Sequence, residues 1–495
     1  MARSNAATSQ SGDVRSGACV LGGGKEGEFC ERQGRKRRGD CLASRVSTMR
    51  LHRTAEDLTG AFAVAFFATA GLMASSSGLL FMAIWTSASV GGARRLFSFQ
   101  VGSNTITLSG CLTFLLFFGT VIFLGRHSKV CWKLLYKNYR FFLLFSGFLA
   151  VRVLDAPDKW VAVKELALMT TPLAIGLVGE IALLRGLRAG WIETQLLLAP
   201  CVVVAMLVYQ SLVGAVAYDD YGLLSTIGKG PIALFALPIF ALALSHWRYT
   251  TGRQWPRWAI VLSLGLILLT VERMASAVAV LVLLPARYVK FNAQFARNAA
   301  VTIVAGCAAA LLLFQVPIVK NRFLESKENP TFSQQDEIIN TSGRAETWYL
   351  TAMHAAERPI WGHGTGAAEV FLAETNSILD HPHNEYLRVY HDLGVVGLTL
   401  FLAAWFGRLL THFRRWRAFE ATPDVAQPQM AATLAALAFV FLFLTDNVLV
   451  ATFVQIPAFL LFAIADGSLR AAISKGRLRA MDPVGRQPFS HVNAT

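Results

Sequence analysis

Charged side chains are scarce in this sequence. Only 16% of its 495 residues are Asp, Glu, Lys or Arg, while 54% are hydrophobic and 34 are Phe. A soluble domain does not need that much apolar surface, whereas about 20 consecutive apolar residues form one membrane-spanning helix. The composition therefore excludes an ordinary soluble domain and predicts an all-α integral membrane protein. Lys and Arg exceed Asp and Glu, which gives a net charge of +15.

Motifs for metal or nucleotide chemistry are also missing. The seven cysteines include no Cys-x-x-Cys pair, so a zinc site is not expected. The glycine-rich stretch at 362–366 lacks the Gly-Lys-Ser/Thr ending of a phosphate-binding P-loop. His381 and His383 form a pair of possible metal ligands, but no convincing carboxylate accompanies them as a third. We therefore expect no metal and no other cofactor.

The first 57 residues lack any apolar period. They are rich in Gly, Ser, Arg and Lys and include a basic run at 35–38, so they are predicted to be a disordered basic tail. A nucleic-acid arm or a tether to anionic lipid is the alternative, and we expect no nucleic-acid partner. The first 18 residues contain no apolar core and so predict no cleavable signal peptide. Met49 is followed by a short basic, polar segment and then a helix, which predicts that translation starts at Met49 and that the preceding residues are an extension of the gene model.

After this tail the apolar runs predict about twelve membrane spans. Spans one to nine occupy residues 58–319, a long loop occupies 320–392, spans ten to twelve occupy 393–469, and a basic tail occupies 470–495. The predicted spans are Ala61–Ser89, Ile106–Gly125, Tyr139–Leu154, Val161–Leu183, Trp191–Val213, Gly230–Trp247, Trp258–Thr270, Met274–Ala286, Asn298–Val319, Leu393–Leu410, Met430–Thr445 and Ala451–Ala465.

Basic residues set the orientation of these spans. If the N-terminus is cytoplasmic, every second connection is also cytoplasmic, and those connections carry most of the Lys and Arg, including the C-terminal tail. Arg94 and Arg95 are the exception, because they fall on the outer side. The long loop at 320–392 then lies outside the membrane together with several short connections that carry isolated charges.

Two of these outer connections are candidate anion sites. Glu272 and Arg273 interrupt two aliphatic runs, so Arg273 holds a guanidinium near the outer surface, where its planar donors suit phosphate oxygens. The alternative is that Glu272 neutralises Arg273 locally. Lys229 opens the next apolar helix, where backbone amides add positive potential, and it forms a second candidate anion site.

The long loop contains two predicted short helices and a glycine-rich turn. A stretch that begins at Gly343 and ends at Pro359 has helical spacing and places Arg344, Trp348 and Thr351 on one face. A flexible turn follows at 362–366, and Ala367–Glu374 is predicted to be another short helix.

Chemically active side chains are dense between 381 and 391. A helix that begins near Pro382 would place Asn384, Arg388 and His391 on one face and His383 on the adjacent face. His381 then orients the turn or assists, whereas His363 and His391 are expected to be structural. Without further information, His383 is either a reactive imidazole or a loop histidine bonded to a carbonyl.

The loop motifs resemble the O-antigen ligase and O-antigen polymerase superfamily. The resemblance rests on three patterns: Gly-Arg-x-x-x-Trp at 343–348, Pro-x-x-Gly-x-Gly-x-Gly at 359–366, and His-Pro-His-Asn-x-x-Leu at 381–387, followed by Gly-x-x-Gly-Leu at 394–398. The motifs cover about sixty residues. The arrangement of spans with one long late loop extends the resemblance to nearly all of the chain after Met49.

The resemblance implies a glycosyltransferase of the bacterial inner membrane with a GT-C-like helical fold. Such a protein takes a glycan from undecaprenyl pyrophosphate in the periplasm and attaches it to a hydroxyl of lipid A–core, or of another lipid-linked glycan. His383 matches the family's base, and Arg273 and Lys229 match its pyrophosphate-binding cations, although relatives commonly have Arg at the position of Lys229. Arg344, His381, Asn384 and Arg388 are then expected to contact substrate.

Two other functions fit the sequence. Ligase and polymerase share the same motifs, and ligase is the reading we adopt. A transporter or a flippase for lipid-linked sugars is the alternative outside the enzymes. However, the chain shows no convincing internal repeat, and its polar groups lie at the outer face rather than through the membrane.

Overall fold

The computed structural model describes the chain in segments. The described residues are 98–101, 104–107, 124–212, 217–219, 222–224, 229–250, 255–270, 272–287, 344–375, 379, 381–450 and 452–476, with isolated positions at 297, 300, 301 and 304. The predicted basic tail at 1–57, the span beginning at Ala61, most of the spans beginning at Ile106 and Asn298, and the loop at 320–343 lie outside these residues.

The described residues are helical apart from two antiparallel hairpins. The first pairs β1 (Ser98–Val101) with β2 (Asn104–Thr107), with Ser98 opposite Thr107. The second pairs β3 (Ala217–Asp219) with β4 (Gly222–Leu224), with Ala217 opposite Leu224. Because Ile106 and Thr107 belong to β2, the predicted second span cannot begin at Ile106 as a helix.

Most of the described helices overlap the predicted elements. In chain order they are α1 (Ser128–Asn138), α2 (Arg140–Arg152), α3 (Lys159–Leu184), α4 (Ala189–Leu212), α5 (Lys229–Tyr249), α6 (Trp255–Leu269), α7 (Arg273–Arg287), α8 (Arg344–Ala355), α9 (Ala367–Glu374), α10 (Glu385–Ala418), α11 (Pro423–Leu442) and α12 (Thr452–Ser474). A short 3-10 turn, Val153–Asp155, follows α2. However, α1 was not predicted, and α10 and α11 begin before the predicted spans at Leu393 and Met430.

Among the described residues, five helices are long and apolar enough to cross a membrane. They are α3, α10, most of α5, α11 and most of α12, while α4, α6 and α7 contain shorter apolar stretches. The all-α membrane character predicted from composition is therefore confirmed for the described part of the chain. The count of twelve spans stays a prediction.

α11 is the central helix of the bundle. It packs against α5, α7, α10 and α12, and most of its side chains are buried. Trp405 of α10 fills the centre, because its ring stacks on Phe439 at 5.2 Å and meets the edges of Phe443 and Phe459. Aromatic packing of this kind fixes the rotation of α10 relative to its neighbours.

Small residues bring α3 and α12 close together. A Cβ added at Gly176 would lie 3.1 Å from Phe459, and one at Gly179 would lie 3.0 Å from Leu460. Membrane helices approach closely where small residues line their contact, because the backbones can then meet. α3 carries Glu165, so this contact also holds the buried carboxylate near the start of α10.

The long loop folds as predicted in its second half, with two corrections. The predicted helices are present as α8 and α9, but α10 begins at Glu385 rather than near Pro382. The predicted start was wrong because Asn384 caps the helix, accepting the backbone N–H of Leu387 at 3.0 Å. His383 and Asn384 therefore precede the helix and do not occupy its faces.

The glycine-rich turn is packed rather than flexible. Gly364 has φ +107, and a Cβ there would lie 2.6 Å from Cα of Ala156. Its N–H donates to the Asp392 carbonyl at 2.8 Å, and the N–H of Thr365 donates to the Arg152 carbonyl. The turn therefore lies between the end of α2 and α10.

Gly394 is required by the kink in α10. Its φ is 65 and its ψ is −168, and a Cβ there would overlap the backbone carbonyl of Ile360. We expect Gly394→Ala to lower the free energy of unfolding by about 1–3 kcal/mol, because both the backbone conformation and the contact forbid a side chain. Thermal unfolding of the purified chain in detergent measures this loss.

Gly265→Ala is the matched control for Gly394→Ala. Gly265 lies inside α6 with nothing within 4 Å of an added Cβ, so alanine should be neutral or stabilise by about 0.5–1 kcal/mol. Equal unfolding midpoints for the two variants would show that the kink does not need glycine.

A buried network of ion pairs lies near the C-terminal end of α10. Arg408 donates to Asp466 at 2.7 Å, Arg415 pairs with the same carboxylate, and Arg470 pairs with Glu180. These contacts join α3, α10 and α12. The two ends of α10 are therefore both fixed by charge, with the loop motifs at one end and this network at the other.

Candidate functional site

His383 occupies a strained turn just before α10. Its φ is 49, and among the residues that the structure describes it is the one non-glycine with positive φ. Trp348 of α8 holds the turn by donating its indole N–H to the Pro382 carbonyl. Such strain persists where the surroundings determine the conformation, and it is concentrated at functional sites.

The imidazole of His383 is neutral at physiological pH. Burial, followed by the nearby Arg344 guanidinium, lowers the pKa of His383 to about 4. Its Nδ1 is buried, and within the described part of the chain it has no hydrogen-bond partner. A neutral ring with an unpartnered nitrogen can accept a proton from a substrate hydroxyl.

His381 shares this environment. Burial lowers its pKa to about 3, with further contributions from the positive charges of Arg388 and Lys164, and its Nδ1 also lacks a partner among the described residues. Two neutral imidazoles therefore precede α10.

Arg344, whose charge helps to lower the pKa of His383, contacts the turn between α11 and α12. Its Nη1 donates to the Thr445 carbonyl at 2.7 Å, and its Nη2 lies 3.8 Å from Oδ1 of Asp446. The buried Thr445 hydroxyl and Asn447 side-chain oxygen have no hydrogen-bond partner in the described residues. This turn therefore places polar side chains beside Arg344.

Charged residues at the start of α7 influence Asp446, which lies in the turn between α11 and α12. Burial raises its pKa to about 7; the nearby charges of Arg344 and Arg273 oppose that rise, and those of Glu272 and Glu385 add to it. The side chains that act on this carboxyl come from α7, α8 and α10. Arg344 lies 3.8 Å from Asp446, the charge of Arg273 also influences the pKa of Asp446, and that of Arg344 influences the pKa of His383.

The starts of α5 and α7 are adjacent. A Cβ on Gly230 would lie 4.0 Å from Oε1 of Glu272, so Lys229, the first residue of α5, begins next to the Glu272 and Arg273 connection. The side chain of Lys229 is outside the described residues, so its predicted contact with substrate stays a prediction.

Asn384 and Arg388 are engaged in the protein itself. Asn384 caps α10 through its side-chain oxygen. Arg388 is 1% exposed and pairs with Glu165 of α3 and with Glu385 at 3.3 Å. Glu385 in turn accepts the N–H of Leu449 at 2.7 Å. This buried cluster fixes the start of α10, and with it the turn that carries His383.

The Thr445–Asn447 turn was not predicted from the sequence to be part of the site. A signal was available, because an acid and an amide interrupt two apolar runs there, as Glu272 and Arg273 do in the connection that was selected. Nor was the pairing of Arg388 with Glu165 predicted, which lies 223 residues away in the chain. Periodicity carries no information about such a contact.

Possible metal ligands lie apart from His383. In the described part of the chain, one group of three such ligands has its ligand atoms within 4.8 Å of one another, and it consists of His354, His363 and His391. The pair considered from the sequence, His381 and His383, is not part of it.

Comparison with protein-family models finds a match in the middle of the chain. A family model described as O-antigen ligase matches residues 258–402. The match covers Arg273, Arg344 and the 381–388 segment, and it excludes Lys229 and Asp446. No curated protein matches the chain.

Proposed function

Because residues 258–402 carry a domain of the O-antigen ligase family, we propose that the protein is an O-antigen ligase. In this reaction a glycan moves from undecaprenyl pyrophosphate to a hydroxyl of a lipid A–core acceptor. The observation that supports it most is the neutral imidazole of His383, whose buried Nδ1 has no hydrogen-bond partner among the described residues and whose pKa is lowered by burial and by the charge of Arg344.

His383 acts as the general base. It removes the proton of the acceptor hydroxyl as the oxygen attacks the anomeric carbon of the donor sugar. A new glycosidic C–O bond forms while the C–O bond to pyrophosphate breaks, and undecaprenyl pyrophosphate leaves. A positioned imidazole typically accelerates such a step by about 10²–10⁴-fold. Its lowered pKa keeps the ring unprotonated at neutral pH. Because the same lowering makes the imidazole a weaker base, its contribution depends on its position next to the acceptor hydroxyl.

Arg273, Arg344 and Lys229 bind the pyrophosphate. Negative charge on the leaving group increases in the transition state, and preorganised donors stabilise that charge by a few kcal/mol each at most. Asp446 is buried, lies 3.8 Å from Arg344 and is also influenced by the charge of Arg273. A doubly charged phosphate entering there competes with this carboxyl for the guanidinium groups, and the raised pKa allows Asp446 to take up a proton.

The other residues predicted to contact substrate have different roles, which follow from their surroundings. We assign His381 to the acceptor, and its Nδ1, which lacks a partner within the described chain, supports this assignment. The side-chain oxygen of Asn384 caps α10, which leaves its amide N–H groups for substrate. Arg388 is a positioning residue that acts through Glu385 and the turn before α10. The reaction as written uses no cofactor.

We place the protein in the bacterial inner membrane as a GT-C-like bundle of about twelve spans, with both termini in the cytoplasm and the site in the periplasm. The basic residues Arg408, Arg415 and Arg470 support this orientation, because they lie at the end of the bundle opposite to His383. The donor and the acceptor both reach the site from surrounding membrane lipid.

Complementation separates the ligase from the polymerase of the same superfamily. We expect expression of the chain in a ligase-null strain to restore lipopolysaccharide that carries long glycan, seen as a ladder on gels, and expression in a polymerase-null strain to leave short glycan. The reverse pattern would assign the polymerase reaction. Restoration in neither host by a chain that is present in the membrane would contradict both.

A further inference from the structure

Three histidines from separate segments meet beside the glycine-rich turn. His354 ends α8, His363 lies in the turn, and His391 lies in α10. Nδ1 of His354 is 2.8 Å from Nε2 of His391, and the ring of His363 lies 4.0 Å from that of His354 and 4.9 Å from that of His391. The reaction proposed above uses none of them.

An oxygen lies beside the outward nitrogen of each ring. Nδ1 of His391 is 2.9 Å from Oδ1 of Asp392, and Nε2 of His363 is 2.9 Å from the carbonyl of His354. Nε2 of His354 lies 3.8 Å from the Glu357 carboxylate. In metal sites a ligating histidine characteristically donates its second ring N–H to a carboxylate or carbonyl, which fixes the tautomer that ligates.

The carboxylate behind His391 is itself well held. Asp392 accepts the N–H of Gly366 at 3.0 Å and that of Ala368 at 2.7 Å. Its charge is therefore stabilised by backbone donors, and it remains available to orient the ring of His391. His391 is fully buried, so this orientation is preserved away from water.

We propose that His354, His363 and His391 bind a divalent transition metal, with zinc as the ion that three imidazoles suit best. Zinc binds histidine nitrogen at about 2.0–2.1 Å, and two nitrogens on a tetrahedral ion lie about 3.3 Å apart. The observed 2.8 Å between the His354 and His391 nitrogens needs only a small separation to reach that distance.

Metal entry requires one change in the cluster. The rings of His354 and His363 are stacked with an interplanar angle of 22°, and two stacked rings cannot both point at one ion. For an ion to bind, the ring of His363 must turn so that its Nδ1 meets the other two nitrogens, which gives up its present contact with the His354 carbonyl. The bound ion then ties α8, the glycine-rich turn and α10 together.

The test measures metal rather than glycan transfer. The full chain is purified without a polyhistidine tag, stripped with chelator, dialysed against Zn²⁺ or Co²⁺, and analysed by elemental mass spectrometry and visible absorption. We expect one ion per chain, a tetrahedral Co²⁺ spectrum, and an increase in the unfolding temperature on Zn²⁺ addition.

His363→Gln and His391→Gln should each abolish the Co²⁺ spectrum, whereas His127→Gln, outside the cluster, should leave it unchanged. His363→Gln keeps the assay informative if His391→Gln fails to fold, because His363 is only partly buried whereas His391 is fully buried. If the wild-type chain retains no more metal than a folded His363→Gln variant, the proposal is wrong. This outcome does not depend on whether the protein transfers glycan.

Discussion

Replacing His383 by alanine is expected to lower the rate of glycan transfer by about 10²–10⁴-fold. The variant loses the one base that the proposed reaction uses, while the turn is still held by Trp348 through the Pro382 carbonyl. Membrane insertion and the unfolding temperature should therefore change little. The measurement is transfer by the purified chain from a synthetic undecaprenyl pyrophosphate-linked glycan to a lipid A–core acceptor.

Two controls make this result specific. His127→Gln changes a histidine near the start of α1, so it should transfer glycan at the wild-type rate. The pH profile of kcat/KM gives a second readout, because a base with pKa lowered to about 4 remains active as the pH falls through 6.5. We expect the acid limb near pH 4, and the limb should be retained in Asp446→Asn. Transfer by His383→Ala at the wild-type rate would remove this residue from the chemistry.

Arg388→Met is expected to destabilise the protein by about 3–5 kcal/mol. The substitution leaves Glu165 and Glu385 buried without their cationic partner, and breaking a buried ion pair by removing one member typically has a cost of that size. Glu385 also accepts the N–H of Leu449, so the loss spreads to the turn that carries Asp446. Urea or thermal unfolding in detergent measures the change.

An exposed pair provides the comparison. Lys164 and Glu369 form an ion pair at 2.7 Å, but the Lys164 side chain is 41% exposed. Lys164→Met should therefore cost about 0–1 kcal/mol, as surface pairs usually do. If Arg388→Met and Lys164→Met unfold at the same midpoint, the buried cluster does not stabilise the start of α10.

The sequence was informative where the signal is local. Apolar runs located α3 to α7, and helical spacing located α8 and α9, because these patterns depend on neighbouring residues. The predicted start of α10 near Pro382 was wrong. Proline is common at the first helical position, but asparagine is a preferred capping residue, and Asn384 caps the helix instead. Arg273 and Arg344 were both predicted to bind substrate, and that role stays a prediction; the charges of both oppose the rise in the pKa of Asp446.

What the sequence did not reveal is long-range pairing. Arg388 was expected to face substrate, yet in the structure its partners are Glu165 and Glu385. His363 and His391 were expected to be structural, but their approach to His354 depends on how a loop folds back on α10. Contacts of this kind follow from the tertiary arrangement of distant segments.

The central claim is that His383 and Arg273 serve one site on one lipid-linked donor. A structure of the full chain with undecaprenyl pyrophosphate bound tests it most directly. We expect the pyrophosphate to lie within hydrogen-bond distance of Arg273 and Arg344, with the His383 ring facing the site where the acceptor hydroxyl would bind. Pyrophosphate bound instead at the opposite end of α10, near Arg408 and Asp466, would contradict the account.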